Sequence, residues 1–553
     1  MKRNIRSVLV WIGLFCVALL PLSDLLNPGF PVTHDGQDHI ARIANFYRSL
    51  SEGNIVPRWA ANLNWGYGHP ILMFLYPLPS YVGSLFHFLG FSFVDSTKLV
   101  FASGFIASIL AMYLWASASW GVAAGVTAAV LYGFAPYRFI DLYVRGAIGE
   151  HMAFIFPPII AYGLLLLSNI RKGWGIAPGT VIAVGVACLI LAHNALSIMF
   201  LPILAWYAIY LTVHETKLRA RFLVIAAIAV GWGFLLSAFY WVPGFFEGKY
   251  TLRDIVTAGE FAGRFVPWTA FIYSPWSYGG GNELSKWLGA GPWLALIVGF
   301  FLLEKNSKYQ KLLIACILLL FFTLFAMTQL SSPLWNTVTI LQKFQFPWRL
   351  LSVTTFLLAV IGALAVVLSS PKRRRQIAVF LCIVGIITTV PMWRAKEYKQ
   401  YPESFFTGIY NSTTDTGESS PIWSVRFMER RPESAAYLIP SEGRITQGIR
   451  TSTVRSYHVE TTGPVRFVEN TLYFPGWRVT INGAPLEADA LQFQDPSYRG
   501  LMTFDLDPGS YDIRFVFSDT KLRSVANGIS AASLVILAAL GTIALIWRKR
   551  MSS

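Results

Sequence analysis

The chain has 553 residues, 54% of them hydrophobic and only 13% charged, with a formal net charge of +16. A soluble domain carries about 25% charged residues, so this composition excludes a protein built wholly in water. The positive charge does not point to nucleic acid, because residues 394–522 carry a net −2 and the remainder +18, concentrated in short clusters between apolar runs.

Taken in chain order, apolar runs at roughly 8–23, 97–117, 119–136, 152–168, 177–192, 196–213, 222–241, 289–304, 312–328, 350–368, 376–393 and 523–547 approach the roughly 20 residues a helix needs to span a bilayer. In lipid every backbone polar group must be satisfied within the element, so these runs are expected to be helices. A thirteenth run, 70–91, contains Pro70, Pro77 and Pro79 and reads as a re-entrant or juxtamembrane segment. With it set aside, the basic clusters Lys2/Arg3/Arg6, Arg171/Lys172, Lys217/Arg219/Arg221, Lys305/Lys308/Lys311, Lys372–Arg375 and Arg548–Arg550 all fall on one side. By the positive-inside rule that side is cytoplasmic. The fold class expected is an all-α polytopic membrane protein of about twelve transmembrane helices, with both termini inside.

Of the acids outside 394–522, only Glu215 and Glu304 then face the cytoplasm, so the polar chemistry gathers outside. The first outer loop, 24–69, reads His34-Asp35-Gly36-Gln37-Asp38-His39. A helix starting near Gly36 would set Asp38 and Arg42 on one face; the alternative is an exposed loop whose Asp caps that helix. Next come Tyr137, Arg138, Asp141, Arg145, Glu150 and His151, either a functional group or interfacial ion pairs. His193-Asn194 reads as a polar pair at a span end or as hydrogen bonds to neighbouring helices. Trp276 and Tyr278, among glycines and Asn282-Glu283, suit either a sugar-stacking surface or an interfacial aromatic belt. Arg349, opening a span, either grips a lipid phosphate or snorkels.

Residues 394–522 alternate in places (Val465–Val468, Asp512–Phe517) with turn signals at Asn482-Gly483 and Pro508-Gly509. They are expected to form a C-terminal extracytoplasmic β-rich domain between the transmembrane domain, 1–393, and a final helix with basic tail, 523–553. The four cysteines all lie in apolar runs, so no disulfide framework supports that domain. Asn411-Ser412-Thr413 matches the glycosylation acceptor triplet.

The stretch HDGQDHIARIANFYRSL…EGNIVPRWAANLNWGYGHPILMFLYPLPSY resembles the bacterial membrane proteins labelled 6-pyruvoyl-tetrahydropterin-synthase-related. YVRGAIGEHMAF, LAHNALSIMFLP, FYWVPGFFE and FQFPWRLL follow in the same order, and LYFPGWRVTINGAPL through DLDPGSYDIRFVF resembles the end of YfhO-like proteins. The pterin label does not fit, since that synthase is a soluble zinc enzyme and this chain has no comparable ligand cluster. The resemblance points instead to the GT-C superfamily of membrane glycosyltransferases. It implies a polyprenyl-phosphate sugar donor, a cell-envelope acceptor and an essential acid in the first outer loop, on the outer side of a bacterial cytoplasmic membrane. Carried over, Asp35 is the catalytic acid and Asp38 its neighbour, although the spacing here is Asp-x-x-Asp where many relatives have adjacent acids. Arg145 or Arg349 would stabilise the leaving phosphate, while His39, Arg58, Glu150, His193, Trp276 and Tyr278 would line the substrate site. Some relatives recruit a divalent metal such as Mg or Mn, for which Asp35 and Asp38 are the ligands implied. A transporter or flippase of a lipid-linked glycan and a non-catalytic membrane scaffold are the competing readings.

Overall fold

A computed structural model of the chain describes residues 2–171, 173, 175–280, 283–302 and 307–552. Lys172, Gly281, Asn282, Glu304 and Lys305 of the sequence reading lie outside the described residues, as do the side chains of the two terminal basic clusters.

Nine helices among the described residues are long and apolar enough to cross a membrane, from Ser7–Leu26 to Lys521–Thr542. Many carry side chains such as Leu9, Ile12, Ile228 and Leu534 that are more than half exposed. Such surfaces are unfavourable in water and ordinary against lipid, and the chain is a multi-pass membrane protein. Three shorter apolar helices, Val122–Gly133, Ile176–Ala192 and Ala290–Phe300, fall where the remaining runs were expected. The first is short because Gly121 turns the chain sharply out of Phe93–Trp120, at a positive φ of 89° that suits glycine, and Pro136 opens a new turn beyond it. Residues 70–91 are indeed broken, into Ile71–Phe74 and Leu78–Phe88 around Pro77.

One helix organises the rest. Nearly every residue of Pro347–Leu368 is buried inside the protein. Its Phe356 meets Trp115 face to face at 5.4 Å and Phe200 edge-on at 5.7 Å. A methyl group in place of a hydrogen on Gly362 would come within 2.4 Å of Leu131, so Gly362 admits close helix packing. This central helix carries Arg349 in its first turn.

The C-terminal β-rich region begins at Ala436. Its strands form a three-stranded antiparallel sheet and a five-stranded one. In the five-stranded sheet Gly509–Phe517 pairs with both Val454–Thr461 and Trp477–Ile481. Alternation decides which side faces in: Ile513, Phe515 and Phe517 are buried, and Phe515 meets Phe467 of the other sheet at 6.1 Å. Asn482-Gly483, both at positive φ, make the expected hairpin turn. Residues 394–435 behave differently. They run along the membrane part, where Tyr398–Lys399 pairs with Phe30–Pro31 and the backbone of Asn64 and Trp65 donates to Ser412 and Tyr410.

The β region is bolted to the helical part by an aromatic junction. Trp59, fully buried, lies 5.5 Å from Trp477 and 5.4 Å from Phe517. Beside it, buried Arg523 donates to Glu247 at 2.7 Å. Removing a large buried aromatic costs about 3–5 kcal/mol, so Trp59→Ala should lower the unfolding temperature of the solubilised protein. It should also expose the 436–517 region to limited proteolysis while the helical part resists cleavage; an unchanged digestion pattern would mean the junction contributes nothing to docking.

Candidate active site

The loop that follows the first span is laid onto a second stretch of chain by its backbone. His34 and Asp35 donate their N–H groups to the carbonyls of Val144 and Arg145, at 3.0 and 2.9 Å. The approach is close enough that Gly146, at a φ of 66°, has no room for a side chain: a Cβ there would stand 2.3 Å from Thr33 Oγ1 and 2.9 Å from Gly36 N. Helix Gly36–Ser51 then begins where expected, with Asp35 at its N-cap position. The capping hydrogen bond is not made by Asp35, however, since Thr33 Oγ1 accepts from Gly36 N–H at 3.1 Å. Asp35 is exposed, and among the described residues nothing hydrogen-bonds or ion-pairs its carboxylate. The fixed backbone and the free carboxylate are the central facts of this loop.

Asp38 is in a different state. It is half-buried and accepts from Tyr410 Oη at 2.9 Å, whose oxygen in turn accepts from Gln37 Nε2 at 3.0 Å. Burial raises its carboxyl above the usual range, outweighing the pull of Arg42 and the Tyr410 hydrogen bond. Arg42 shares its face as expected and donates to Thr414 Oγ1 at 2.9 Å, with His39 Nδ1 3.0 Å away. His39 is buried, and burial together with Arg42 holds it well below the ordinary histidine range, as the neutral imidazole.

Glu150 gathers the second group. It is fully buried; Tyr137 Oη donates to its Oε2 at 2.7 Å, and Arg145 Nη2 and Arg349 Nε donate to its Oε1 at 2.9 and 2.7 Å. His193 Nε2 stands 3.9 Å from the same oxygen. Arg145 also donates to buried Asp141 at 2.6 Å and lies over the Trp348 ring at 4.7 Å. Formally two carboxyls thus balance two guanidiniums, although burial and the Glu150 charge push the Asp141 carboxyl well above the usual range. Arg349 donates a second hydrogen bond to the Phe344 carbonyl, which leaves Nη2 without one among the described residues, while its side chain is 11% exposed.

Tyr76 joins the two groups. Its ring stacks on His193 at 5.0 Å, and its hydroxyl, pushed up to about 12 by burial, lies within electrostatic reach of Arg42, Asp35, Glu150 and Arg349. Trp276 and Tyr278 stand at the rim, where the Tyr278 carbonyl lies 3.2 Å from His34 Nε2 and its hydroxyl donates to the Arg394 carbonyl at 2.9 Å. Arg58 is not brought in; it pairs with Asp519 at 3.1 Å and donates to Asn527, binding the last helix. Asn194 accepts from Tyr240 at 2.5 Å, the inter-helix role offered for that polar pair. Sequence reasoning missed Tyr76 and Tyr410 altogether. The first lies in the quoted motif MFLYPLPSY and was findable there; the second has no local signal.

No family model matches the chain. An uncharacterized protein of Lactococcus lactis subsp. cremoris (strain MG1363) is 25% identical over 254 residues, 44% of this chain and 40% of the relative's length. Among solved structures, the arabinofuranosyltransferase AftD from Mycobacteria aligns with 69% of this chain and 26% of its own, at 15% identity and a TM-score of 0.44. The Archaeoglobus fulgidus oligosaccharyltransferase, complexed with zinc and sulfate, aligns with 76% and 59%, at 14% identity and 0.40. ArnT from Cupriavidus metallidurans, bound to undecaprenyl phosphate, aligns with 66% and 77%, at 12% identity and 0.29. All three scores lie below 0.5, so what this site does rests on its own residues.

Breaking a buried ion pair by removing one partner costs about 3–5 kcal/mol, whereas replacing both charges by apolar groups costs far less. Glu150→Gln should therefore lower the unfolding temperature markedly, and Glu150→Leu combined with Arg349→Met should recover part of the loss. A double variant no more stable than the sum of the single changes would show that the charges are not coupled.

Proposed function

We propose that the chain is a GT-C-type glycosyltransferase that moves a sugar from a polyprenyl-phosphate-linked donor to an acceptor in the cell envelope. The observation that carries this reading is the unpartnered carboxylate of Asp35, held by backbone hydrogen bonds beside a charge-balanced arginine cluster. Transfer forms a bond from the acceptor hydroxyl oxygen to the sugar's anomeric carbon and breaks the bond from that carbon to the phosphate. The hydroxyl proton passes to Asp35 as general base, and the polyprenyl phosphate leaves with the electron pair. Of the two arginines, Arg349 suits the phosphate better, because Arg145 has both terminal nitrogens committed to Glu150, Asp141 and Tyr137. Asp38, tied to Tyr410, is the lesser candidate for the proton.

A divalent metal fits within limits. No group of three His, Cys, Asp or Glu able to hold one is found among the described residues. Magnesium, however, is commonly held by one or two carboxylates together with substrate phosphates, and Asp35 with Asp38 offer that pair. When bound, such an ion would neutralise the donor phosphate.

The same contacts support a twelve-span topology with this site outside. Asp35 and Arg145 meet, yet Phe93–Trp120 lies between them, so a return crossing is needed and Val122–Gly133 supplies it. Glu150 and His193 meet across Ile148–Ser168, which calls on Ile176–Ala192 in the same way. The 2.7 Å contact of Glu150 with Arg349 calls on Ala290–Phe300. If only the nine long helices crossed, Arg373 would face outside. In a background lacking the four natural cysteines, a cysteine at 373 should therefore label only after the membrane is opened, and one at 442 in intact cells.

With purified protein, labelled polyprenyl-phosphate sugar and extracted envelope acceptor, Asp35→Asn should reduce transfer by about 10²–10⁴-fold, the usual contribution of a general base. Insertion and polyprenyl-phosphate binding should persist. Asp38→Asn should do less, and near-normal transfer by the Asp35/Asp38 double variant would move the reading toward a transporter or scaffold.

A further inference from the structure

Between the first outer helix and the segment 404–412 lies a cavity of about 410 Å³ that the transfer chemistry above leaves unused. Its lining includes Gln37, Phe405, Tyr410, Asn411, Ser412 and Arg431. We infer that this cavity seats the acceptor: a hydroxyl-rich sugar unit of an envelope glycan, in the transfer reaction on which the inference rests.

Size comes first. Sites for small ligands commonly enclose about 300–1,000 Å³, so a monosaccharide or the end of a short glycan can enter. The chemistry of the walls is that of sugar recognition. Phe405 is 38% exposed; Tyr401 stacks on one face at 4.7 Å and Tyr410 meets it edge-on at 5.6 Å, so its exposed part offers an aromatic contact to the C–H side of a pyranose. Around it are polar groups with capacity left over. Asn411 Oδ1 accepts from Arg431 Nε at 3.1 Å, and Arg431 Nη2 donates to the Ile409 carbonyl at 2.9 Å. Asn411 Nδ2 and Arg431 Nη1 thus remain as donors, and Gln37 Oε1 as an acceptor. Among the described residues no carboxylate pairs with Arg431, so its donors are not already claimed by an acid.

Position completes the argument. Gln37 lies on the same helix as the acids, two residues after Asp35, and donates to Tyr410 Oη, which donates to Asp38. One wall of the cavity is therefore the hydrogen-bonded edge of the acidic loop. A sugar held against it lies one hydrogen-bond relay, through Tyr410, from Asp38. A lipid tail would want an apolar channel instead, and these walls carry an amide pair and a guanidinium.

The test uses full-length protein in lipid nanodiscs without donor. The probes are methyl glycosides and disaccharides of glucose, galactose, mannose and N-acetylglucosamine, read by saturation-transfer NMR. At least one sugar should take up saturation. Arg431→Ala and Asn411→Ala, both at exposed positions, should each weaken its binding about five-fold or more, the loss of roughly one net hydrogen bond. Ile409→Trp, which fills the cavity from its rim, should abolish the signal. Binding unchanged in all three variants, or no saturation of any probe, overturns the assignment. Lost sugar binding in the variants alongside a wild type that transfers nothing would keep the site and sink the reaction. Transfer by the variants at an unchanged acceptor KM would keep the reaction and sink the site.

Discussion

The candidate site of this protein depends on one buried carboxylate. Glu150 takes hydrogen bonds from Tyr137 and Arg145 of one stretch of chain and from Arg349 of a distant one. Each ion taken out of water costs several kcal/mol, so such a group persists only when its lone pairs are satisfied and its charge is balanced. Asp141 and Arg145 complete the balance. The return is positional. Arg349 is fixed at the head of the central helix, and the turn 140–145 is fixed beneath the loop that follows the first span. In the reaction proposed above, a guanidinium held this way would not have to reorganise as charge develops on the donor phosphate, which is the preorganisation that electrostatic catalysis needs.

The first loop inherits its geometry from that cluster. Its backbone pairs with the carbonyls of Val144 and Arg145, so whatever orients Arg145 also orients Asp35. Gly146 and Gly36 let the two strands of chain approach, since a Cβ on either would collide with Thr33. On the other side the segment 394–435 closes over the same helix through Tyr410 and Thr414. The β-rich region proper stands farther back, held at Trp59 and Arg523. Residues assigned to one outer domain by composition therefore divide by role, the first forty or so belonging to the wall of the site.

How much of this was readable follows from how local each signal is. Apolar runs are local, and every one of the twelve retained runs has an apolar helix at its place; the prolines of 70–91 marked a broken segment because proline disrupts helices wherever it falls. Asn482-Gly483 was legible for the same reason. The polar clusters were visible as clusters, and Arg145, Glu150, His193 and Arg349 do meet. Their partners were not visible. Tyr410 reaches Asp38 across 372 positions, and no periodicity encodes such a contact. Arg58 sits in a motif-rich stretch, yet its partner is Asp519, near the far end of the chain. Being next to important residues in sequence is not the same as facing them in space.

That distinction matters most for the acids, since residue type alone leaves Asp35, Asp38 and Glu150 equivalent. Their surroundings separate them. Glu150 is fully buried and enclosed by Tyr137, Arg145 and Arg349, out of reach of a substrate, so its work is to hold other groups. Asp38 has one oxygen engaged by a tyrosine and is only half-exposed; burial raises its carboxyl above the usual range, which strengthens it as a base but leaves it less open to a substrate. Asp35 alone combines exposure, a rigid backbone and an uncommitted carboxylate. Environments that drive neighbouring carboxyls apart are how a single site divides the roles of base, positioner and counter-ion. The carboxylate left unsatisfied is that of Asp35, and its freedom depends on the satisfaction of the charge buried behind it.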